Sequence, residues 1–254
     1  MLELSGKTAL GTGGGSGIRR AIALAFSKEG ARVVIAGRRP VPLQETASSA
    51  PSGAIRCITA DVTREEDRIR LVREAVAAMG GLDVLVNSAG ILESGTHEST
   101  DLAAWDRTMD INVRSVLALT RLAAPHLLAR RGSIVNLSSV AGLRPYAGLL
   151  AYCVSKAAVD QLTRCLALEL APGGVRVNAL NPGVVVTDLH RSGGMSESDY
   201  AAFLERGKST HPLGRVGAPE DVASLAVFLA SDRAGWITGG PFSVDGGRAL
   251  ASAR

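Results

Sequence analysis

With 254 residues, 46% of them hydrophobic and only 4% aromatic, the chain is long enough for one α/β domain whose core is filled by small aliphatic side chains. A formal charge of +4 is mild, and the short clusters Arg19-Arg20, Arg38-Arg39 and Arg130-Arg131 lack interleaved aromatics, which argues against a nucleic-acid partner. Three cysteines without paired spacing, no apolar run of transmembrane length and no leader-like N-terminus point to a soluble, cytoplasmic protein without a membrane partner.

Short β-rich runs alternate with helical patterns along the chain. Lys7–Gly11 reads as a strand, followed by a helix over Ser16–Glu29, with Ile18, Ile22, Ala25 and Phe26 at helical spacing and Gly30 as its stop. Arg32–Ala36 is a continuous apolar strand, as expected in a sheet covered on both faces. Ala54–Thr59 and Val84–Asn87 are the third and fourth strands, with a helix over Arg64–Met79 between them. Trp105–Arg131 reads as one long helix that Pro125 should kink or break. Ser133–Leu137 is the fifth strand, Ala151–Leu170 a helix closed by Pro172-Gly173-Gly174, and Arg176–Leu180 the sixth strand. Pro219–Leu229 is a helix and Phe242–Val244 a short last strand. This βαβα order predicts a Rossmann-type, doubly wound parallel sheet of about seven strands with helices on both faces, in one domain over 1–254. The polar stretch 188–212 interrupts the alternation and is expected to be a substrate lid, with a plain surface loop as the alternative. Within it, Met195, Tyr200 and Phe203 either line a pocket or form the apolar side of a short helix.

Thr12-Gly13-Gly14-Gly15-Ser16-Gly17 joins the first strand to the first helix. Glycines at that place let backbone N–H groups approach a pyrophosphate, and the helix terminus adds partial positive charge. Tyr152 and Lys156 stand four apart in a predicted helix and so project from one face. A phenol with a pKa near ~10 is a poor base at neutral pH, and a nearby ammonium favours phenolate. His97, His126, His190 and His211 have no ligand spacing, so no metal site is expected.

These residues resemble the pattern of the short-chain dehydrogenase/reductase family over nearly the whole chain. Gly13 and Gly17 match the first two glycines of its Thr-Gly-x-x-x-Gly-x-Gly loop, with Gly15, Ser16 and Ile18 completing the turn. Arg19 departs from the third glycine, which in dinucleotide folds permits close packing of helix on strand. Either the arginine points elsewhere or it pushes the helix away; reaching a phosphate is the less favoured alternative. Gly11, in a strand interior, is a second oddity. Asp61 and Val62 resemble the adenine-contacting pair, although Asp61 also suits a helix N-cap beside Thr63. Asn87-Ser88-Ala89-Gly90 is similar to the family's Asn-Asn-Ala-Gly element, and Pro182, Gly183, Val185 and Thr187 to the segment that holds the nicotinamide carboxamide.

The resemblance implies an oxidoreductase moving hydride between a nicotinamide cofactor and a carbonyl or secondary alcohol. It makes Tyr152 the general acid or base, with Lys156 lowering its pKa and binding the nicotinamide ribose. Ser139, thirteen residues before Tyr152, would hydrogen-bond the reacting oxygen, and Asn112 would hold a helix irregularity or a proton-relaying water. After the second strand stands Gly37 rather than an acid, followed by Arg38 and Arg39. That favours NADP(H), with NAD(H) as the alternative. The family usually forms homotetramers, or dimers, through the two long helices and the last strand. The competing expectation is a weakly active or regulatory dinucleotide-binding member, because Arg19 damages the loop.

Overall fold

The computed structural model describes residues 2–251. Seven strands form one sheet: β1 (Thr8–Thr12), β2 (Arg32–Gly37), β3 (Ile55–Thr59), β4 (Val84–Asn87), β5 (Ser133–Leu137), β6 (Arg176–Pro182) and β7 (Pro241–Val244). Every pairing is parallel, in the order β3-β2-β1-β4-β5-β6-β7. The order reverses between β1 and β4. In a doubly wound sheet that is where a crevice opens beyond the carboxyl ends of the strands.

Alternate residues along each strand serve opposite faces. Ala9, Val33, Ile35, Val84, Val86 and Val135 pack under helices α1 (Gly17–Lys28), α2 (Pro40–Ser48) and α9 (Pro219–Ala230). Leu10, Val34, Ala36, Leu85 and Ile134 pack under α3 (Glu65–Met79), α5 (Ser115–Arg130) and α6 (Leu150–Leu170). The continuous apolar runs in the sequence follow from this two-sided cover.

The expected elements appear with four corrections. The helix α2 was not anticipated; its Pro40 and Pro42 both fall in the first helical turn, where a missing N–H removes no intrahelical bond. The long helix begins earlier, as α4 (Leu102–Met109), with the Asp101 carboxylate accepting the Ala104 N–H at 2.6 Å as its N-cap. Its irregularity is a π-helical turn over Asp110–Arg114, and α5 runs through Pro125 unbroken. Pro125 and Arg121 are both exposed, so water can serve the carbonyl that the proline leaves unbonded. Finally, 188–212 is no structureless loop: it folds as α7 (Leu189–Ser192) and α8 (Glu197–Thr210).

Candidate active site

The loop after β1 is fastened to the loop after β4. Thr12 Oγ1 accepts the backbone N–H groups of Ser88 and Ala89 at 3.1 and 3.0 Å, and the Ser88 hydroxyl donates to the Thr12 carbonyl at 2.5 Å. Gly13 and Gly17 take φ of 75° and 56°, where a Cβ is strained. The turn is also crowded, since a Cβ on Gly15 would meet Pro42 at 2.9 Å and one on Gly17 would meet Thr187 at 3.0 Å. Ser16 is extended at the N-cap of α1 and its side chain caps nothing. The first turn of α1 therefore offers its amides to the crevice without an internal competitor.

The opposite wall is built from β5 and α6. Ser139 lies two residues past β5, and its Oγ accepts the Ala141 N–H at 3.1 Å. Tyr152 and Lys156 sit in the first turns of α6, buried, and line the same cleft as Ser139, with the Tyr152 hydroxyl hydrogen-bonded to the Ser139 side chain. Lys156 Nζ donates to the Leu137 carbonyl at 2.8 Å and lies 5.6 Å from the centre of the Tyr152 ring.

Behind this wall is a buried polar scaffold. Asn112, in the π turn, accepts the Ile91 N–H at 2.9 Å and donates to the Ile91 carbonyl and the Ser155 hydroxyl, both at 3.0 Å. It thus joins the segment after β4 to α6. Gly90 leaves the room: a Cβ there would lie 3.3 Å from Asn112 Oδ1 and 3.7 Å from Lys156 Nζ. Asn181 Nδ2 donates to the Ser139 carbonyl at 2.9 Å and to both Asp160 carboxylate oxygens at 3.1 and 2.9 Å.

Electrostatics follow from burial. Desolvation pushes the Tyr152 phenol up to about 12, opposed by its hydrogen bond with Ser139 and by the charge of Arg19. Desolvation, then the Arg19 charge, pulls Lys156 down to about 8, with Asp160 opposing. The sequence assigned the cationic offset at the phenol to Lys156; the charge that reaches it is that of Arg19. Burial also raises the Asp160 carboxyl, against hydrogen bonds from Ser138 and Asn181.

The crevice has two halves. Ser139, Tyr152 and Lys156, the candidate catalytic residues, share one half with Gly17, Ile18, Gly90, Pro182, Gly183, Val185 and Thr187. The other half holds Gly13, Gly15, Arg38, Arg39, Asp61, Val62 and Ala89. Ser16, Arg19, Gly90, Asp188 and Leu189 line both. Asp61 Oδ1 accepts the Thr63 N–H and hydroxyl at 2.9 and 2.8 Å in a local turn; the N-cap of α3 is Arg64, so the capping role anticipated as the alternative for Asp61 does not occur.

Two predicted site residues stay out of the crevice. Asn112 acts from behind, as described. Asn87 is buried and turned away, donating to Asn136 Oδ1 at 2.9 Å, its register partner in the sheet, and to Thr120 at 3.3 Å. Sequence reading missed the Asp160–Asn181 pair and His211. The His211 ring is buried: Nδ1 donates to the Gly207 carbonyl at 2.6 Å and Nε2 accepts the Val184 N–H at 3.2 Å. The stretch 188–212 contributes Leu189 and Phe203 to the lining of the half that holds Tyr152, and its buried Tyr200 hydroxyl accepts the Thr187 N–H at 3.1 Å and donates to the Thr187 carbonyl at 2.8 Å. The side chain of His190 lies outside the described residues. No cluster of three His, Cys, Asp or Glu side chains suited to a metal occurs among the described residues, nor a helix long and apolar enough to cross a membrane.

Residues 11–249 match the family model described as enoyl-(acyl carrier protein) reductase. The chain is 39% identical over 244 residues to a 2-(S)-hydroxypropyl-CoM dehydrogenase of Xanthobacter autotrophicus, covering 93% of this chain and 94% of that protein. It is 39% identical over 253 residues to a 3β-hydroxysteroid dehydrogenase of Eggerthella lenta, covering 98% and 95%. A crystal structure of a Caenorhabditis elegans short-chain dehydrogenase/reductase of unknown function, solved with cofactor, superposes with a TM-score of 0.92 at 34% identity, covering 99% and 98%.

Proposed function

The chain belongs to the short-chain dehydrogenase/reductase family and is an oxidoreductase of alcohols and carbonyls; on that footing we propose that it transfers hydride between NADP(H) and a small carbonyl or secondary alcohol at Ser139, Tyr152 and Lys156. The observation that carries this reading is the convergence of those three side chains on one wall of a crevice whose other wall is the glycine loop. The residues present fit a nicotinamide dinucleotide. The loop of Gly13, Gly15 and Gly17 is too crowded for side chains and leaves its backbone bare, the first turn of α1 offers uncapped amides, and the Arg19 guanidinium that lines the crevice has no partner among the described residues. Gly13, Gly15, Ser16, Gly17 and Ile18 would hold the phosphates, Asp61, Val62, Ala89 and Gly90 the adenosine side, and Pro182, Gly183, Val185 and Thr187 the carboxamide. When bound, the nicotinamide gives or takes the hydride.

The protein's own part is the proton. In reduction the Tyr152 hydroxyl donates its proton to the substrate oxygen; in oxidation the phenolate takes it back. A positioned group of this kind contributes roughly 10²–10⁴-fold. Ser139 hydrogen-bonds the same oxygen and holds it against Tyr152. Lys156 holds the nicotinamide ribose and passes the proton onward, and Asn112 positions it through α6 and the Gly90–Ile91 segment. Burial raises the phenol, which suits a group that must keep its proton until the substrate oxygen needs it.

Arg38 and Arg39 are exposed on the adenosine half with no ion-pair partner among the described residues, and Gly37 supplies no acid. This supports NADP(H), whose 2′-phosphate suits a guanidinium fork. NAD(H) is the alternative, and fluorescence titration with both reduced cofactors separates them. Tighter NADH binding would reverse the preference. We further propose that 188–212 is the substrate lid, hinged on Tyr200 and Thr187. A homotetramer, or dimer, is supported by the exposed apolar side chains Leu117 and Leu128 on α5 and Val154 and Leu168 on α6.

The test is a carbonyl and alcohol panel followed at the nicotinamide absorbance band, with wild type and Tyr152→Phe. Turnover should fall by at least a hundredfold in the variant while cofactor affinity is kept. A variant with full turnover would sink the assignment.

A further inference from the structure

Arg19 stands where a glycine would let helix and strand pack closely, yet neither expected consequence occurs. The helix is not displaced: Ile22 and Phe26 of α1 remain buried in the core. Nor is the side chain averted. Its stem lies across the bare face of Gly13, where an added Cβ would come within 2.5 Å of Arg19 Cδ and 2.7 Å of a terminal guanidinium nitrogen. The left-handed glycine of the loop is what makes room for it. The half-buried side chain lines both halves, with Tyr152 and Lys156 on one side and Arg38 and Arg39 on the other.

This cation makes no hydrogen bond or ion pair with any described residue. Burial lowers its pKa, and so do Arg39 and Arg38; Tyr152 is the group that opposes them. A guanidinium stays charged and carries five donors in a rigid fork, so leaving it unpaired in a desolvated place is costly. A plug would be expected to be tied down by a carboxylate or a carbonyl. An anion at the first turn of α1, between the adenosine half and the catalytic half, would supply such a partner. Its geometry must accept two parallel N–H donors, which is the geometry of a phosphate.

We propose that Arg19 is a phosphate-binding residue, whose guanidinium clasps the bridging pyrophosphate of the nicotinamide dinucleotide where other loops of this kind offer backbone alone. The proposal rests on the cofactor reading given above and adds a charged contact to it. It also ties nucleotide binding to the catalytic pair. The Arg19 charge favours phenolate at Tyr152 and disfavours ammonium at Lys156, so an anion that neutralises it returns charge to Lys156.

Equilibrium binding tests this without turnover. NADPH, NADH, ADP-ribose and adenosine are titrated by calorimetry into wild type, Arg19→Ala and Arg19→Gly, at low and high salt, after circular dichroism and thermal melting confirm that the variants fold. The glycine variant restores the fingerprint and guards against a folding failure. Both variants should bind the three pyrophosphate ligands roughly ten- to a hundredfold more weakly, as expected for a hydrogen bond to a charged group. Adenosine affinity should not move, and the salt sensitivity of dinucleotide binding should fall. Variants that bind ADP-ribose as tightly as wild type, or more tightly, would show Arg19 to be an obstruction and overturn the proposal alone. A wild-type protein that binds neither dinucleotide would overturn the cofactor reading and this proposal with it.

Discussion

Replacing Lys156 by methionine should abolish turnover and yet make the protein more stable at neutral pH. Lys156 is buried, and desolvation pulls it from an ordinary 10.5 down to about 8. Each pH unit is worth about 1.4 kcal/mol. Holding the ammonium in place therefore costs about 3 kcal/mol wherever the group is charged in both states, which is below pH 8. Methionine is of similar length and carries no charge, but it leaves the Leu137 carbonyl without its donor, a loss of about 1 kcal/mol. The net expectation is a gain of about 2 kcal/mol at pH 7. The sign of the pH dependence is fixed. Between pH 8 and 10.5 the unfolded chain holds a proton that the folded chain has released, so wild-type stability rises with pH and the advantage of the variant shrinks away. Above pH 10 Tyr152 acts in the opposite sense in both proteins, because its pKa is raised and the folded state then binds the extra proton. Urea unfolding of the cofactor-free proteins from pH 7 to 10.5 measures the difference. A Lys156→Met protein that is less stable at pH 7, or whose offset from wild type is flat with pH, would refute the reasoning.

Two other positions give simpler expectations. Gly11 has room for a side chain, since an added Cβ meets only Val86 Cβ at 4.0 Å over a small cavity lined by Ala9, Ile22 and Val33; Gly11→Ala should stabilise by about 1 kcal/mol and raise Tm by about 2–4 °C, and a lowered Tm in calorimetry would contradict it. Burial lowers the pKa of His211, so below pH 6.5 the unfolded chain gains a proton that the folded chain refuses and stability falls; His211→Gln should flatten that acid limb in urea midpoints measured from pH 7 to 5, and an unchanged limb would clear His211 of the effect.

The sheet was legible because each strand is covered twice. Runs such as Arg32–Ala36 carry no polar alternation, and glycines or prolines bound them. Tyr152 and Lys156 were legible together from helical spacing, and Ser139 from the resemblance to the family's pattern. What escaped depends on partners distant in sequence. Asn87 has the composition of a cofactor contact, but the β4–β5 register sets Asn136 beside it, and that amide takes its hydrogen bond. Asp160 reads as an ordinary polar helix residue until β6 brings Asn181 against it. Pro40 and Pro42 conceal α2, and the Ser and Gly content of 188–212 obscures the extent of α8, of which only the apolar side of a short helix at Tyr200 and Phe203 was read, as one alternative. The direction of Arg19 is set by an absence, the missing side chain of Gly13, which no periodicity records.

Buried polar groups in this protein mostly find their partners within it. Asn136 bridges Asn87 and Thr163, Asn112 serves Ile91 and Ser155, and Asn181 serves Ser139 and Asp160. Such closed pairs fix the walls without reaching the crevice. Arg19 and Lys156 differ. Arg19 uses none of its donors on described residues, and Lys156 uses one of three, on Leu137. Both are cations that burial disfavours, and the Arg19 charge lowers Lys156 further. A half-buried guanidinium and a buried ammonium that it destabilises do not serve the fold, because apolar residues of like size would pack better there. Their unused donors face the same crevice, one at its waist and one at its catalytic wall. An anionic, hydroxyl-bearing ligand spanning both points would meet those donors together, and a phosphate-bridged nucleotide whose ribose reaches Lys156 has that chemistry.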